Sequence, residues 1–210
     1  MPSVFQEPKE INHLARMTSC HLWRGDEVGL RMYVGMLDEV VAEHPLFIRE
    51  IDQPFLDNYL RASKSLKDGK MPTPWVPHEY KDPGILKIRL SESPSEREIV
   101  QSFVSDDEAI DVITAGDRNR LINVEARANP GRIDVEIRCG RFAHALEFKE
   151  GRAEHDVVGQ IQKYMRHLGS FIHYGLYDYV CGWVVAREFE RNVELELRQL
   201  GVRMMRLHPR

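Results

Sequence analysis

The chain has 210 residues, 42% hydrophobic and 30% charged, with 14 glycines and 11 prolines, which excludes wholesale disorder and fibrous repeats. No run approaches the roughly 18 uncharged apolar residues of a membrane span, the start MPSVFQEPKE lacks signal-peptide character, and Cys20, Cys139 and Cys181 are too few and too scattered for a disulfide framework or a CxxC zinc site. The expectation is a cytoplasmic protein with no membrane partner. The formal net charge of −4 argues at first sight against a nucleic-acid partner, yet Asp117–Arg210 carries 16 Lys+Arg, 14 of them arginine, against 13 Asp+Glu. Arginine's planar fork suits phosphate, so this mildly basic part is able to meet a polyanion, although an ordinary solvated surface explains so small an excess equally well.

Residues 1–70 read mostly as helix. In Val28–His44 the apolar Leu30, Tyr33, Val34, Leu37, Val40 and Val41 recur at helical steps and Pro45 ends the pattern; Gln53–Ser65 places Phe55, Leu56, Tyr59 and Leu60 on one face. Residues 71–90 form a proline-rich linker, with Pro72, Pro74, Pro77 and Pro83, followed by a short strand, ILKIRL. Ser95 and Glu98 then make a capping box for a helix to Val104. Strands are expected at Asn123–Ala126, at Arg132–Arg138 after an Asn129-Pro130-Gly131 turn, and at Phe142–Lys149 after a Cys139-Gly140-Arg141 hairpin. A helix follows over Asp156–Leu168. The apolar run Tyr179–Ala186 reads as a strand covered on both faces, succeeded by a helix near Glu188–Leu200, a stop at Gly201 and a last strand, Val202–Leu207. This order gives the α/β class, with a sheet flanked by helices and a mainly helical N-terminal extension.

The strand period concentrates chemistry at one place. Asp134 lies opposite Ile133 and Val135 on its strand, while Glu147 and Lys149 share a face of the hairpin partner. Two converging carboxylates repel unless a cation sits between them, and hard oxygen ligands suit Mg²⁺. The neighbouring ammonium suits a water nucleophile or the charge on a transferring phosphate. Cross-strand ion pairs are the alternative on spacing alone. Gln160 and Tyr164 share a face of the next helix, and Glu96 begins the Ser95 helix, where simple capping also accounts for an acid. Arg132, Arg152 and Arg166 flank the region as phosphate contacts or as surface ion pairs. His13, Cys20 and His21 fit no zinc spacing and read as structural; His144, on the face opposite Glu147, reads as structural or surface. Trp75 reads as the anchor of the proline-rich strap, with base stacking as the lesser alternative.

The stretch GRIDVEIRCGRFAHALEFKEGRAEHDVVGQIQKYMRHLG resembles the core of the PD-(D/E)xK nuclease superfamily, the restriction-endonuclease-like fold. It is most similar to the C-terminal nuclease domain of the NucS/EndoMS endonucleases. The matching motifs are Gly131–Asp134, Glu147–Lys149 and Val158–Tyr164, with the entry helix SEREIV and the ending VCGWVVAREF and GVRMMRL. The resemblance covers residues 91–210. It implies a mixed sheet and an Mg²⁺- or Mn²⁺-dependent DNA endonuclease of repair, restriction or defence, and it leaves a homodimer open. It further implies that Asp134 and Glu147 are metal ligands, with the Phe148 carbonyl, and that Lys149 positions the attacking water. Glu96 would complete the metal shell, and Gln160 and Tyr164 would order the site or touch the scissile phosphate. Two departures stand out: residues 1–90 do not resemble that family's β-rich N-terminal domain, and Ile133 replaces the superfamily proline. A binding or interaction module that keeps the fold without turnover is the alternative function.

Overall fold

Apolar residues at helical spacing shape the first part of the chain. In the computed structural model, which describes residues 8–72, 84–88, 90, 92, 94–128 and 131–209, they form α1 (Pro8–Arg24), α2 (Glu27–Glu43) and α3 (Gln53–Lys67), with a 3₁₀ turn at Pro45–Glu50. Asp26 caps α2 by accepting from the Gly29 N–H at 3.1 Å. The face α3 buries differs from the expected one. Leu60 is 47% exposed, whereas Asn58, Ala62 and Ser63 are buried beside Phe55 and Tyr59. Asp38 of α2 is the physical reason: it accepts from Tyr59 Oη at 2.7 Å and Ser63 Oγ at 3.0 Å and pairs with Lys67 Nζ at 2.9 Å, which turns the polar edge of α3 inward.

These helices belong to one unit, Met1–Trp75, that also takes in Gly169–Asp178. The later segment lies against α1. A Cβ at Gly169 would fall 2.2 Å from the Cβ of Trp23, Cys20 Sγ lies 3.7 Å from the Ser170 carbonyl oxygen, and Arg16 pairs with Asp178 at 3.8 Å.

The second unit, Val76–Leu168 with Tyr179–Arg210, holds β1 (Gly84–Ile88), β2 (Arg120–Ala128), β3 (Gly131–Cys139), β4 (Phe142–Phe148), β5 (Arg152–Ala153), β6 (Tyr179–Ala186), β7 (Glu188–Phe189) and β8 (Arg203–Pro209). Six strands make a mixed sheet in the order β1-β8-β6-β4-β3-β2. β2, β3 and β4 run antiparallel, and β4, β6, β8 and β1 run parallel. The α/β class and the sheet flanked by helices are therefore present. Ser95 Oγ accepts from the Glu98 N–H and starts α4 (Glu96–Val104). A second helix, α5 (Asp107–Thr114), was not expected. Asp106 caps it, and Arg120 at the head of β2 pairs with its Asp107 and Asp111. Eight residues give too few periods to be read as a pattern. The expected helix from Glu188 starts only at Arg191 (α7, Arg191–Gln199), because Glu188 and Phe189 pair with Arg152 and Ala153. The turn residues 129 and 130, the strap residues 73–83 and Trp75 lie outside the described residues.

α6 (Asp156–Gly169) lies over the sheet where Gly182 removes a side chain. A Cβ there would meet Met165 Sδ at 2.4 Å and Ile161 Cγ1 at 3.1 Å. Gly182 pairs with Ala145, so α6 covers the face that also carries Glu147. The opposite face receives α4 through Phe103 and Phe148, with ring centroids 5.2 Å apart. Gly182→Val should lower stability by about 2–3 kcal/mol through overpacking, read as an earlier midpoint in urea. A wild-type midpoint would show that α6 has room to move.

Candidate active site

The β3–β4 register pairs Val135 with Leu146, and one step further along it sets Asp134 opposite Glu147. Asp134 Oδ2 accepts from the Phe148 backbone N–H at 2.8 Å. Lys149, just past the end of β4, donates from Nζ to Glu147 Oε1 at 2.7 Å, and its backbone N–H is fixed by the Val185 carbonyl of β6 at 2.9 Å. Hairpin pairing and the parallel neighbour together hold one ammonium against two carboxyl groups. Glu147 is 2% exposed.

The electrostatics follow from that crowding. Burial, then the charge of Asp134, pushes the Glu147 carboxyl up to about 7 against the opposing effect of Lys149. Asp134 is also raised, first by burial, although the Phe148 N–H and Lys149 act the other way. Desolvation pulls the Lys149 ammonium down, but its bond to Glu147 outweighs this and leaves it raised. Tyr164 of α6 is 7% exposed and is pushed up to about 12 by burial and then by Glu147, Asp134 and Glu96. Glu96, in the first turn of α4, is raised by partial desolvation and by Asp134, while Lys149 opposes the shift. One neighbourhood thus contains Glu96, Asp134, Glu147, Lys149 and Tyr164.

Two oxygens in this region stand out: Glu147 Oε2 and Gln160 Oε1 are buried with no hydrogen-bond donor. An unsatisfied buried acceptor costs about 1–3 kcal/mol, and a cation or ordered water would remove that cost. Among the described residues no group of three or more His, Cys, Asp or Glu side chains is close enough to hold a metal ion. A cation here would therefore rest on the two carboxylates and keep much of its water, which is Mg²⁺-like behaviour.

The three flanking arginines are solvent-facing. Arg132 pairs with Glu125 at 2.9 Å and Arg152 loosely with Glu190 at 3.8 Å, while Arg166 is exposed on α6. His144 is fully buried on the opposite face. It accepts from Trp183 Nε1 at Nδ1 (3.1 Å), contacts Cys139 Sγ through Nε2 (3.4 Å), and is pushed down to about 3 by burial and then by Arg203. It is a core histidine. His13 is exposed, Cys20 is buried, and His21 pairs with Asp26, which leaves them apart from any metal site.

Backbone geometry adds two features that period and motif did not reveal. Glu125 adopts a left-handed φ of +49° in β2, where the β2–β3 register passes over the Glu125/Asp134 position; such strain in a non-glycine residue tends to collect at functional sites. Gly131 has φ +119° at the head of β3 with Tyr164 nearby, a conformation that a side chain would strain.

No family model and no curated protein matches the chain. Among solved structures it is similar to a complex of EndoMS with double-stranded DNA, at 24% identity and a TM-score of 0.44 over 58% of this chain and 47% of that one. It is also similar to a repair endonuclease from Pyrococcus abyssi, at 20% identity and a TM-score of 0.43 over 58% of this chain and 50% of that one. The chain spans about half the length of each.

Proposed function

We propose that the protein is a divalent-metal-dependent nuclease that hydrolyses phosphodiester bonds in DNA. The observation that carries this reading is the pairing of half-buried Asp134 with buried Glu147, which is salt-bridged to Lys149, with Glu147 Oε2 and Gln160 Oε1 left without donors. Lys149 occupies one Glu147 oxygen and leaves the other for a cation, and a pure phosphate binder gains nothing from carboxylates that repel its ligand.

Asp134 and Glu147 would hold Mg²⁺ or Mn²⁺, which when bound supplies a Lewis acid for the phosphoryl oxygens and a water of lowered pKa. Phe148 N–H keeps Asp134 oriented. Lys149 Nζ, on Glu147, would orient the attacking water and counter charge building on the phosphate. The water oxygen bonds to phosphorus as it loses a proton to solvent, and the bond to the leaving oxygen breaks as that oxygen takes up a proton from solvent, giving a phosphomonoester and a free hydroxyl. Tyr164, held neutral, would donate to a phosphate oxygen. Gln160 would fix the ligand shell through its amide, and Glu96 would add an outer acidic contact. Residues 1–70 would serve specificity, dimerisation or partner binding.

The test uses purified protein with single-stranded, duplex, mismatched and branched DNA, and with RNA, in Mg²⁺, Mn²⁺ or EDTA. Cleavage should require the metal and should fall at least 10³-fold in Asp134→Ala. Metal-dependent product undiminished by that change would sink the assignment. Binding without product on any substrate would leave the non-catalytic module as the reading.

A further inference from the structure

Resting on that nuclease reading, we infer that Arg187 is a phosphate-binding residue of the same site, holding a backbone phosphate of the substrate strand beside the one cleaved. Arg187 follows β6 directly. Its backbone N–H donates to the Gly151 carbonyl at 2.9 Å, two residues past Lys149, whose own N–H is held by Val185 two residues before Arg187. β4 and β6 are parallel neighbours, so Arg187 and Lys149 stand at the same carboxyl end of the sheet. Ligands of open α/β sheets collect at that end.

The side chain is under-satisfied for a cation in such a place. Arg187 is only partly exposed, its Nε is buried without a partner, and among the described residues its Nη2 meets the Glu92 carbonyl at 3.5 Å, the outer limit of a hydrogen bond. A buried guanidinium N–H without an acceptor is costly, and a phosphate oxygen that reaches Nε while the exposed Nη atoms bond its other oxygen removes that cost. Glu188, next to it in sequence, and Glu92, whose carbonyl meets its Nη2, both have exposed side chains. The strand period places Arg187 on the face opposite Glu147 and Lys149, the face that receives α4, and the Glu92 contact puts it beside the chain entering that helix. Arg187 therefore stands at the rim of the site and suits an adjacent phosphate rather than the scissile one. A guanidinium fork matches two phosphate oxygens in a way an ammonium does not.

The experiment compares the full chain with Arg187→Ala and Arg187→Lys, each confirmed to be folded by circular dichroism. Fluorescence anisotropy of a labelled 20-nucleotide strand and of its duplex, with Ca²⁺ in place of Mg²⁺, is measured from 50 to 250 mM NaCl; KM and kcat are measured with Mg²⁺. Loss of one phosphate contact should make the slope of log K against log [NaCl] less negative by about 0.9 for duplex and about 0.7 for a single strand. KM should rise about 10-fold with kcat within about 2-fold, and Arg187→Lys should keep the slope with part of the affinity. An unchanged slope and KM in Arg187→Ala, with cleavage still dependent on Asp134, overturns the Arg187 inference alone. A wild-type chain that neither binds nor cleaves any nucleic acid overturns both this inference and the reading beneath it.

Discussion

In the Glu147→Gln protein the fall of stability between pH 6.5 and 8 disappears, and cleavage drops about 10³-fold or more. The first effect follows from the sign of the pKa shift. A carboxyl raised to about 7 in the folded state from an ordinary value near 4.3 when unfolded favours folding in its protonated form. Its contribution is complete below the unfolded pKa and is lost as pH rises through 7. His144, pushed down to about 3, acts oppositely: its contribution is complete above roughly pH 6.5, the ordinary imidazole value, and is lost on acidification. The two oppose each other in mild acid, so Glu147 is read cleanly only above pH 6.5. There the metal-free wild type should lose about 1 kcal/mol by pH 8, roughly 2–4 °C in Tm. Glutamine keeps the shape of the protonated acid and titrates nowhere in this range. Mg²⁺ should reverse the wild-type loss, with proton release on binding, and should have little effect on the variant. Differential scanning calorimetry at pH 6.5, 7.2 and 8, with and without Mg²⁺, checks this; parallel curves for the two proteins would contradict the burial-driven shift.

Lys149→Met is expected to reduce kcat about 10³-fold while leaving DNA affinity within a few-fold. Its Nζ bonds Glu147 Oε1 at 2.7 Å and counters the charges of both Asp134 and Glu147. Without the ammonium both carboxyls should titrate still higher, so the alkaline-rising limb of the pH–rate profile should move to higher pH as kcat falls. Lys149→Arg should restore little, because a planar guanidinium cannot occupy the place of a point ammonium against a nearly enclosed glutamate. A Met variant with the wild-type pH profile would show that Lys149 does not tune the pair. One whose loss lay wholly in KM would make the lysine a binding group and not a chemical one.

The placement of the candidate site was legible where period and register coincide. Alternation in GRIDVEIR and FAHALEF put Asp134 and Glu147 on facing sides of a tight hairpin, and a hairpin closed at Gly140 leaves little choice of register. Ser95, Pro45 and the apolar run YVCGWVVA fixed element ends because caps, proline and burial act locally. What escaped notice depends on distant partners. α5 owes its position to Arg120, whose acids lie 9 and 13 residues before it. β7 exists because Arg152 and Ala153 are beside it, a pairing invisible in the helical period of the residues that follow. Leu60 turned outward because Asp38, 22 positions earlier, recruits the polar edge of α3. Glu125 and Arg187 carry no local signal at all: one is a backbone angle, the other an arginine ending an apolar strand, and only the company of Asp134 and Lys149 gives them meaning.

The attachment of Gly169–Asp178 to α1 has a consequence for the order of biogenesis. Trp23 packs where Gly169 leaves space, and Cys20 and Arg16 meet Ser170 and Asp178, yet more than 140 residues separate these partners. On the ribosome, α1 to α3 must wait for β2, β3, β4 and α6 to be translated before their last neighbours arrive. The three helices are therefore complete only after most of the sheet has been made, and a fragment ending near residue 75 would lack its own final wall.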